Sequence, residues 1–278
     1  MYYPGHIQKA KRQIQNYIKS VDGVVELLDA RIPLSSRAYE AERLFQNKQR
    51  IVVLNKSDLA DPKITSMWKE HFRAQGSGVV EASLRSTDAK QFIIREIVPL
   101  LKSRFYEKRF MVVGMPNVGK STFINRLKGK KSLAVGNRPG ITRGVQWINV
   151  SESISVLDTP GILYSDLRSP HITTKLLAVG SLPYEKFDPL DAFERVLALI
   201  VERYGKGLLE DYLGEEFADG EEFVEEFCRR RNYLAKQGAL DITRGAHTFL
   251  REVAAGKVGR FSFEDPESFY RVDSNEAK

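Results

Sequence analysis

A glycine-rich segment that ends in a lysine and a serine lies near the middle of the 278-residue sequence, at residues 114–121 (GMPNVGKS). It fits the pattern GxxxxGK[ST], with an apolar run before it at 110–113 and a helical pattern after it at 122–127. A strand, a glycine loop and a helix in this order form a loop whose backbone N–H groups wrap phosphates. We therefore predict that the phosphates are bound by Asn117, Val118, Gly119, Lys120, Ser121 and Thr122. Lys120 would reach the outer phosphates, which makes it a catalytic candidate, and the Ser121 hydroxyl would bind Mg²⁺.

A second motif, NKSD at 55–58, follows another apolar run and matches the guanine-specificity element of GTPases, N/TKxD. The Asp58 carboxylate can accept hydrogen bonds from N1–H and from the 2-amino group of guanine. Adenine lacks both donors, and a buried group without a partner costs about 1–3 kcal/mol, so the motif predicts guanine. Asn55 would tie this loop to its neighbours, the Lys56 stem would cover the base, and Ser83 would offer its N–H to guanine O6.

A third motif, DTPG at 158–161, supplies groups that respond to the terminal phosphate. Asp158 would hold Mg²⁺ through water, the Gly161 N–H would contact the γ-phosphate, and Thr142 would complete the magnesium shell as the switch threonine and a further catalytic candidate. NKSD alone is often a turn, and DTPG alone is often the end of a strand. All three motifs follow predicted strands, however, and together they predict a site for GTP or GDP with Mg²⁺.

Buried strands that alternate with helices must position these motifs, and they predict an α/β fold with a largely parallel sheet, the Rossmann-like fold of P-loop GTPases. Strands are expected at 21–28, 50–54, 78–82, 110–113, 144–150 and 153–157, and helices at 4–20, 37–48, 62–75 and 88–101. After residue 162 the pattern is helical, with long helices at 189–204, 221–236 and 241–256. We predict a basic N-terminal helix (1–20), a GTPase domain (21–167) and an all-helical domain that ends in a loose tail (168–278).

The motifs occur in an unusual order. Ordinary GTPases run from the P-loop through the switch threonine and DxxG to NKxD and the serine loop, whereas this chain reaches its P-loop only after NKSD and Ser83. This order is a circular permutation, which can fold because domain termini often lie close together. The basic connector at 102–109 would join the former ends. Because the chain leaves the GTPase domain just after DTPG, the γ-phosphate switch would be continuous with the helical domain.

The sequence resembles the circularly permuted GTPases of the YlqF/RbgA family over about residues 3–265. The resemblance rests on PGH at 4–6 before a basic helix, DARIP at 29–33, NKSD, GMPNVGKS, PGIT at 139–142, DTPG, and the helical segment 238–259. One departure is Leu84 after Ser83, where GTPases more often have alanine, and it leaves the backbone contact available. The resemblance implies a GTPase of late large-subunit assembly that is slow alone and stimulated by ribosomal particles. Its partners would be the large ribosomal subunit precursor and its rRNA.

The group that orients the attacking water is less evident, because many GTPases carry a glutamine where this sequence has Ile162. The resemblance assigns that role to the histidine of the N-terminal motif, His6, whose neutral imidazole could orient a water near the γ-phosphate. Alternatively, His6 packs against or caps the first helix, or contacts RNA. Related potassium-activated GTPases bind K⁺ through an asparagine at the position of Asn117, which here could equally be an ordinary loop residue.

Charge and composition narrow the compartment and the class of partner. The net charge is +7 and the pI is near 9.3, which favours a polyanion such as RNA, although a solvated basic surface would look the same. A single cysteine, Cys228, cannot form a disulfide framework. The N-terminus lacks the apolar core of a signal peptide, and no run approaches the ~20 apolar residues of a membrane span. We expect a cytoplasmic monomer that binds neither DNA nor membranes.

Basic residues of the helical domain form the main candidate RNA surface. Arg244 and Arg251 lie seven residues apart on one face of a predicted helix, and Lys257 follows them. Phosphate contacts by such a row give salt-dependent binding. Glutamates at 215–226 lie close to the arginines at 229–231, so part of this charge is expected to pair internally. The first helix and the connector at 102–109 are further RNA candidates, and the alternative function is a GTP-dependent switch acting on another RNA or on a protein.

Overall fold

The computed structural model describes residues 4–37, 42–103, 105–128, 145–159 and 169–267. The chain forms two compact units, of which the first comprises residues 1–167 and 264–278 and the second comprises residues 168–263. The second unit is thus one continuous segment, whereas the first is assembled from two segments that flank it in the sequence.

Six strands form the sheet at the centre of the first unit: β1 (Gly23–Asp29), β2 (Gln49–Asn55), β3 (Gly78–Ala82), β4 (Lys108–Gly114), β5 (Gln146–Ser151) and β6 (Ile154–Asp158). Their spatial order is β3-β2-β1-β4-β6-β5, and all neighbours are parallel except β5, which is antiparallel to β6. Every residue of β1 is buried, as expected for a central strand of a parallel sheet covered on both faces. The predicted α/β fold with a mostly parallel sheet is confirmed.

Helices in the described part of this unit are α1 (Pro4–Tyr17), α2 (Pro62–Ala74), α3 (Ala89–Phe92) and α4 (Lys120–Lys128). Asp61 caps α2 and Asp88 caps α3, each accepting from N–H groups of the first turn that have no partner within the helix. The segment after α3 continues as a π-helical turn at Ile93–Ile97 and a 3-10 turn at Val98–Leu100. Two apolar clusters pack on the sheet; one includes Ile14, Phe45, Met111 and Leu157, and the other includes Leu28, Leu54, Trp68 and Phe72.

The helix expected at 37–48 is wrong for residues 43–48. Residues 43–48 form turns, in which Phe45 N–H donates to Glu42 O at 3.1 Å and Lys48 N–H donates to Phe45 O at 3.0 Å. These turns place the Phe45 ring in the core, and Lys48 Nζ donates to Val21 O at 2.6 Å. Burial of Phe45 and anchoring of Lys48 therefore override the helical pattern just before β2 begins.

The chain returns to the first unit at Glu264, whereas the sequence suggested that the helical domain runs on to residue 278. Glu264 is buried, and its carboxylate accepts from Leu34 N–H at 2.9 Å and from Ser35 N–H at 3.2 Å. Its backbone carbonyl accepts from Trp68 Nε1 at 3.1 Å. A buried carboxylate needs such donors, and they hold this residue against the loop that follows β1.

The second unit consists of helices α5 (Pro170–Ala178), α6 (Pro189–Tyr204), α7 (Gly207–Leu213), α8 (Gly220–Arg230) and α9 (Ile242–Ala254), in its described residues. Phe193, Phe223 and Phe249 meet in its core with ring centroids 5.0, 5.3 and 5.9 Å apart. α8 ends at Arg230 rather than at 236. Gly245 lets α9 approach α8 closely, because a Cβ there would lie 2.3 Å from Cys228 Sγ. None of the helices in the described ranges is long and apolar enough to cross a membrane.

Candidate functional site

Four neighbouring strands of the first unit bring the predicted motifs to one edge of the sheet. Asp29 at the end of β1 is the register partner of Asn55 at the end of β2. Gly114 ends β4 beside Leu27 of β1, and Asp158 ends β6 beside Val112 of β4. In parallel sheets the carboxyl ends of the strands are where ligands bind, so the topology gathers NKSD, the P-loop and the first two residues of DTPG at such an edge.

The P-loop backbone takes a conformation that depends on its glycines. Gly119 has φ +104°, and a Cβ there would lie 2.2 Å from Asn55 Nδ2, so no larger residue fits. Asn117 also has a positive φ, of 64°. A Cβ on Gly114 would lie 2.8 Å from Leu27 O, which fixes the close passage between β4 and β1. Loops bent in this way at the start of a helix present N–H groups to anions.

Lys120 and Asp158 form a buried ion pair at the centre of this edge. Lys120 Nζ lies 3.0 Å from Asp158 Oδ1 and also donates to the carbonyl of Thr159. The Thr159 hydroxyl in turn donates to Val112 O at 2.7 Å, which anchors the end of β6 to β4. Burial lowers the pKa of Lys120, and the neighbouring Asp158 carboxylate opposes that shift. The pair thus holds one ammonium group and one carboxylate next to the P-loop, with half-buried Ser121 following in α4.

Asn55 connects the three loops at this edge through its side chain. Its Nδ2 donates to Val118 O in the P-loop at 2.7 Å, and its Oδ1 accepts from Leu84 N–H at 2.9 Å. The loop around half-buried Ser83 is also fixed from α4, because Arg126 donates to the carbonyl of Arg85 and, at 2.8 Å, to that of Thr87. These hydrogen bonds therefore join the predicted base-reading and phosphate-binding segments.

A buried carboxylate that the sequence did not single out as a site residue, Asp29, organises the NKSD side of the site. Its Oδ2 lies 2.8 Å from Lys56 Nζ and 2.9 Å from Arg31 Nη2, and its Oδ1 accepts from Arg31 Nε at 2.9 Å. Burial opposes ionisation, but Arg31 and Lys56 together bring the pKa of Asp29 below its usual range. The Lys56 backbone is left-handed, with φ 60°, and Asp58 is exposed. The sequence could have indicated Asp29 as a site residue, because this aspartate lies at the end of a predicted buried strand, as Asn55 does at the end of the next one.

Several predicted positions cannot be placed. Thr142 and Gly161 lie outside the described residues, as does Ile162. His6 lies in the backbone of α1, but its side chain is outside what the structure describes. Within the described ranges no group of three or more His, Cys, Asp or Glu residues could hold a metal ion. Next to the P-loop, the Ser121 hydroxyl and the Asp158 carboxylate offer hard oxygen donors of the kind that Mg²⁺ takes together with phosphate oxygens and water.

In the second unit, the predicted RNA residues are exposed on or near α9. Arg244 stacks over the ring of Tyr233 at 4.2 Å and, with Arg251 and His247, lines an open groove of about 550 Å³. Among the described residues neither Arg244 nor Arg251 has a carboxylate within ion-pair distance, whereas Lys257 Nζ lies 3.7 Å from Glu252. The expected internal pairing occurs at 229–231, where the arginines bind Glu215, Glu225, Glu226 and Glu252.

Comparison with known proteins places these features in one family. A family model described as 50S ribosome-binding GTPase matches residues 109–203, which begin at the P-loop strand. The chain is 41% identical to ribosome biogenesis GTPase A of Thermotoga maritima, over all of this chain and 98% of the relative. It is 36% identical to the protein of the same name from Priestia megaterium, over 95% of this chain and 96% of the relative.

Solved structures agree with the sequence relatives. A GDP-bound structure of YlqF matches 92% of this chain and 100% of its own, with 38% identity and a TM-score of 0.72. A GNP-bound YlqF structure from T. maritima matches 93% of this chain and 99% of its own, with 39% identity and the same TM-score. Sequence identity at this level over the whole chain, together with the similar fold, shows that the protein belongs to the ribosome biogenesis GTPase A (YlqF/RbgA) family.

Proposed function

We propose that this protein hydrolyses GTP to GDP and phosphate in ribosome biogenesis and that it acts on a late precursor of the large ribosomal subunit. The observation that carries the proposal is the double hydrogen bond of Asn55, at 2.7 Å to the P-loop and at 2.9 Å to the loop of Ser83. It joins a segment suited to read guanine with a segment suited to hold phosphates, so that one ligand can engage both.

The site residues divide the work between the base and the phosphates. Asp58 reads guanine, Lys56 covers the base face, and Ser83 contributes its N–H. On the phosphate side, Lys120 exchanges the Asp158 carboxylate for the outer phosphates, and the backbone of 117–119 with Thr122 wraps the remaining oxygens. Ser121 and Asp158 would hold Mg²⁺, which supplies positive charge to the phosphate oxygens; Thr142 and Gly161 complete this set.

Two further groups complete the proposed chemistry. His6 orients the attacking water, because the hydrophobic Ile162 cannot. Asn117 helps to bind K⁺ beside the phosphates, and its positive φ of 64° places it in the bend of the loop. GTP hydrolysis should therefore be faster in potassium than in sodium at equal ionic strength, and Asn117→Ala should remove the difference. Equal rates of the unsubstituted protein in both salts would contradict the potassium site.

Ribosomal RNA is the proposed partner of the groove on α9. Arg244, stacked on Tyr233, and Arg251 have no carboxylate partner among the described residues, so both charges are available to phosphate. Lys257 adds a third charge, part of which is offset by Glu252 at 3.7 Å. The groove is lined by the ring of Tyr233 and by two arginines, so it offers a surface for base stacking as well as positive charge. Sites that bind unpaired nucleotides combine these two features. We propose that the protein acts as a cytoplasmic monomer.

The decisive experiment is sedimentation with purified ribosomal subunits in the presence of a non-hydrolysable GTP analogue, together with GTP hydrolysis with and without those subunits. We expect co-migration with large-subunit particles and a strong stimulation of hydrolysis by them. The variant Arg244→Ala/Arg251→Ala should lose both effects and keep its basal hydrolysis. The matched control is Arg229→Ala/Arg230→Ala, which removes two arginines that are already paired with glutamates.

The alternative functions give different outcomes in the same experiment. Co-migration with small subunits, or stimulation by tRNA alone, would assign the protein to another RNA. Failure to bind any ribosomal particle while nucleotide binding is intact would favour a GTP-dependent switch with a protein partner.

A further inference from the structure

Two neighbouring aromatic side chains, Phe105 and Tyr106, project into solvent from the connector between the 3-10 turn at Val98–Leu100 and β4. Phe105 is 73% exposed and Tyr106 is 84% exposed, whereas Leu234, the next most exposed large hydrophobic side chain in the described ranges, reaches 49%. Single exposed apolar residues are ordinary on protein surfaces, but an adjacent pair this exposed points to a binding surface.

The connector that carries the pair is held by hydrogen bonds at both ends. The Asp22 carboxylate accepts from Ser103 Oγ at 3.0 Å and from Arg109 N–H at 2.8 Å. Lys108 Nζ donates to Ser103 O at 2.8 Å and to Phe105 O at 2.9 Å. Phe105 N–H is itself bound to Ser103 Oγ at 3.2 Å. These hydrogen bonds hold the described backbone around Phe105 in place, which reduces the entropy lost when a partner binds.

The basic residues and aromatic rings of this surface suit a negatively charged polymer with planar groups that can stack. The segment 102–109 (KSRFYEKR) contains four basic residues and one acidic residue. Lys102 is exposed, and Glu107 is neutralised by Arg109 at 2.7 Å. Arg109 also lies over the ring of Trp147, at 6.0 Å, and Trp147 is 39% exposed, so a third aromatic ring adjoins the basic segment. Exposed rings among cations are the arrangement that binds unpaired nucleotides by stacking, without base-specific hydrogen bonds.

We propose that Phe105 and Tyr106 form a stacking platform for unpaired nucleotides of ribosomal RNA, separate from the arginine groove of the second unit. This inference rests on the proposed ribosomal partner. The connector meets β4 at its amino end, and the P-loop follows the carboxyl end of this seven-residue strand, a separation of about 20 Å. RNA on the platform and nucleotide at the P-loop can therefore be bound at the same time.

The test is a titration of the full-length protein with an unstructured 12-nucleotide RNA and with an RNA duplex of equal length, over a range of salt concentrations. Phe105→Ala/Tyr106→Ala should weaken single-strand binding at least about tenfold, because stacking contributes about 1–3 kcal/mol per base, and should leave duplex binding unchanged. The slope of log affinity against log salt should stay the same, since no charge is removed. Lys102→Ala should instead reduce that slope. The conservative variant Phe105→Tyr/Tyr106→Phe should restore binding.

Basal GTP hydrolysis and the thermal midpoint of each variant monitor folding, because both rings are exposed and far from the P-loop. Unchanged single-strand affinity of the alanine variant would overturn the platform. Loss of particle binding by that variant with RNA affinity intact would also overturn it, since the surface would then bind a protein. If Arg244→Ala/Arg251→Ala loses the particles and the platform variant does not, this inference alone fails. If the unsubstituted protein binds no ribosomal particle, the proposed function fails first.

Discussion

The two units use their charged residues in opposite ways. In the first unit, Lys120, Asp158 and Asp29 are buried at one edge of the sheet, where Lys120 of the P-loop pairs with Asp158 and Lys56 of NKSD pairs with Asp29. In the second unit, Arg229 and Arg230 form exposed pairs with glutamates of the same helix, while Arg244 and Arg251 have no carboxylate partner among the described residues. The type of a basic residue therefore does not indicate its role. Whether it is buried, and whether it pairs with a carboxylate, must also be known.

The difference follows from the architecture of each unit. Parallel strands bring the polar side chains at their carboxyl ends to one edge of the sheet. Helices cover the sheet there, so charged groups lose their hydration and need partners of opposite charge within the chain. Helices of a small bundle bury one face and leave the other in water, where pairs contribute little and charges stay available to a partner. Substitutions of these buried charges in the first unit should thus affect folding and catalysis, and those of exposed, unpaired charges in the second unit should affect mainly binding.

The largest effect on stability is expected for Asp29→Asn. This change removes the carboxylate that binds Arg31 at 2.9 Å and Lys56 at 2.8 Å, and it withdraws a buried negative charge from Arg31, which is only 2% exposed. Loss of one partner of a buried ion pair costs about 3–5 kcal/mol. Urea unfolding should show a decrease of that size. Glu107→Gln, the same chemical change at an exposed pair, is the control and should leave the midpoint in place.

The same carboxylate predicts how stability depends on pH. Because the pKa of Asp29 is lower in the folded protein than in the unfolded chain, where it is about 3.9, its contribution is complete above that pH. As the pH falls below about 4, the unfolded chain takes up the proton first and the contribution is progressively lost. The difference in unfolding free energy between the unsubstituted protein and Asp29→Asn should narrow in this range. A difference that stays constant between pH 7 and pH 3 would contradict the ion pair.

Lys120→Ala should give the largest effect on catalysis, with a fall in GTP turnover of about 100- to 1,000-fold, the usual result of removing a group that stabilises developing charge. The variant also leaves the buried Asp158 without its ammonium partner at 3.0 Å, so nucleotide binding and unfolding must be measured alongside turnover. Lys128→Ala, an exposed lysine at the end of the same helix, is the control. Turnover within tenfold of the unsubstituted protein would exclude Lys120 from the chemistry.

Local pattern predicted much of the first unit from the sequence. All six strands were predicted from the sequence, the central ones from apolar runs followed by turn residues, because a central parallel strand is apolar along its whole length. The motif order identified the permutation, but not the spatial order in which β4 and β6 come together, since that depends on contacts distant in sequence. The turns at 43–48 were misread because Phe45 is fixed by the core and Lys48 by Val21, which precedes β1, rather than by helical neighbours.

The contacts that the sequence did not predict are mainly those between residues distant in the chain. Pairs such as Glu225–Arg229 and Glu226–Arg230 follow from helical spacing of four residues, and the sequence indicated them. The pairing of Arg231 with Glu252 depends on how α8 packs on α9, and the return of Glu264 to Leu34 spans 230 residues. Asp29 and Lys56 could have been connected in advance, because strand ends that are neighbours in a sheet place their following residues side by side.

A smaller effect is expected for Arg231→Ala, whose partner Glu252 is buried, whereas the glutamates that pair with Arg229 and Arg230 in the described residues are more exposed. Its guanidinium binds both oxygens of Glu252, at 3.0 and 2.8 Å, and also contacts Tyr212 OH at 2.9 Å. Its loss leaves a mostly buried carboxylate partly unsatisfied, at a cost of about 1–3 kcal/mol. Arg229→Ala is the matched control in the same run and should leave the urea midpoint close to that of the unsubstituted protein. Equal destabilisation by both variants would show that burial of the partner does not decide the effect.

The smallest effect on stability, and the most informative for function, is expected for Arg251→Ala. Arg251 is exposed, lines the groove and has no carboxylate partner in the described part of the chain, so the unfolding free energy should change by less than about 0.5 kcal/mol. If its charge serves a phosphate, the slope of log RNA affinity against log salt should decrease by about 0.7–0.9, the value for one contact. Arg251→Lys keeps the charge and should preserve the slope. If Arg251→Ala leaves the unfolding free energy unchanged but lowers the slope of log RNA affinity against log salt, the partner of Arg251 lies outside the chain. An unchanged slope for Arg251→Ala would contradict the conclusion that exposed arginines of the second unit serve a partner while buried charges of the first unit serve folding.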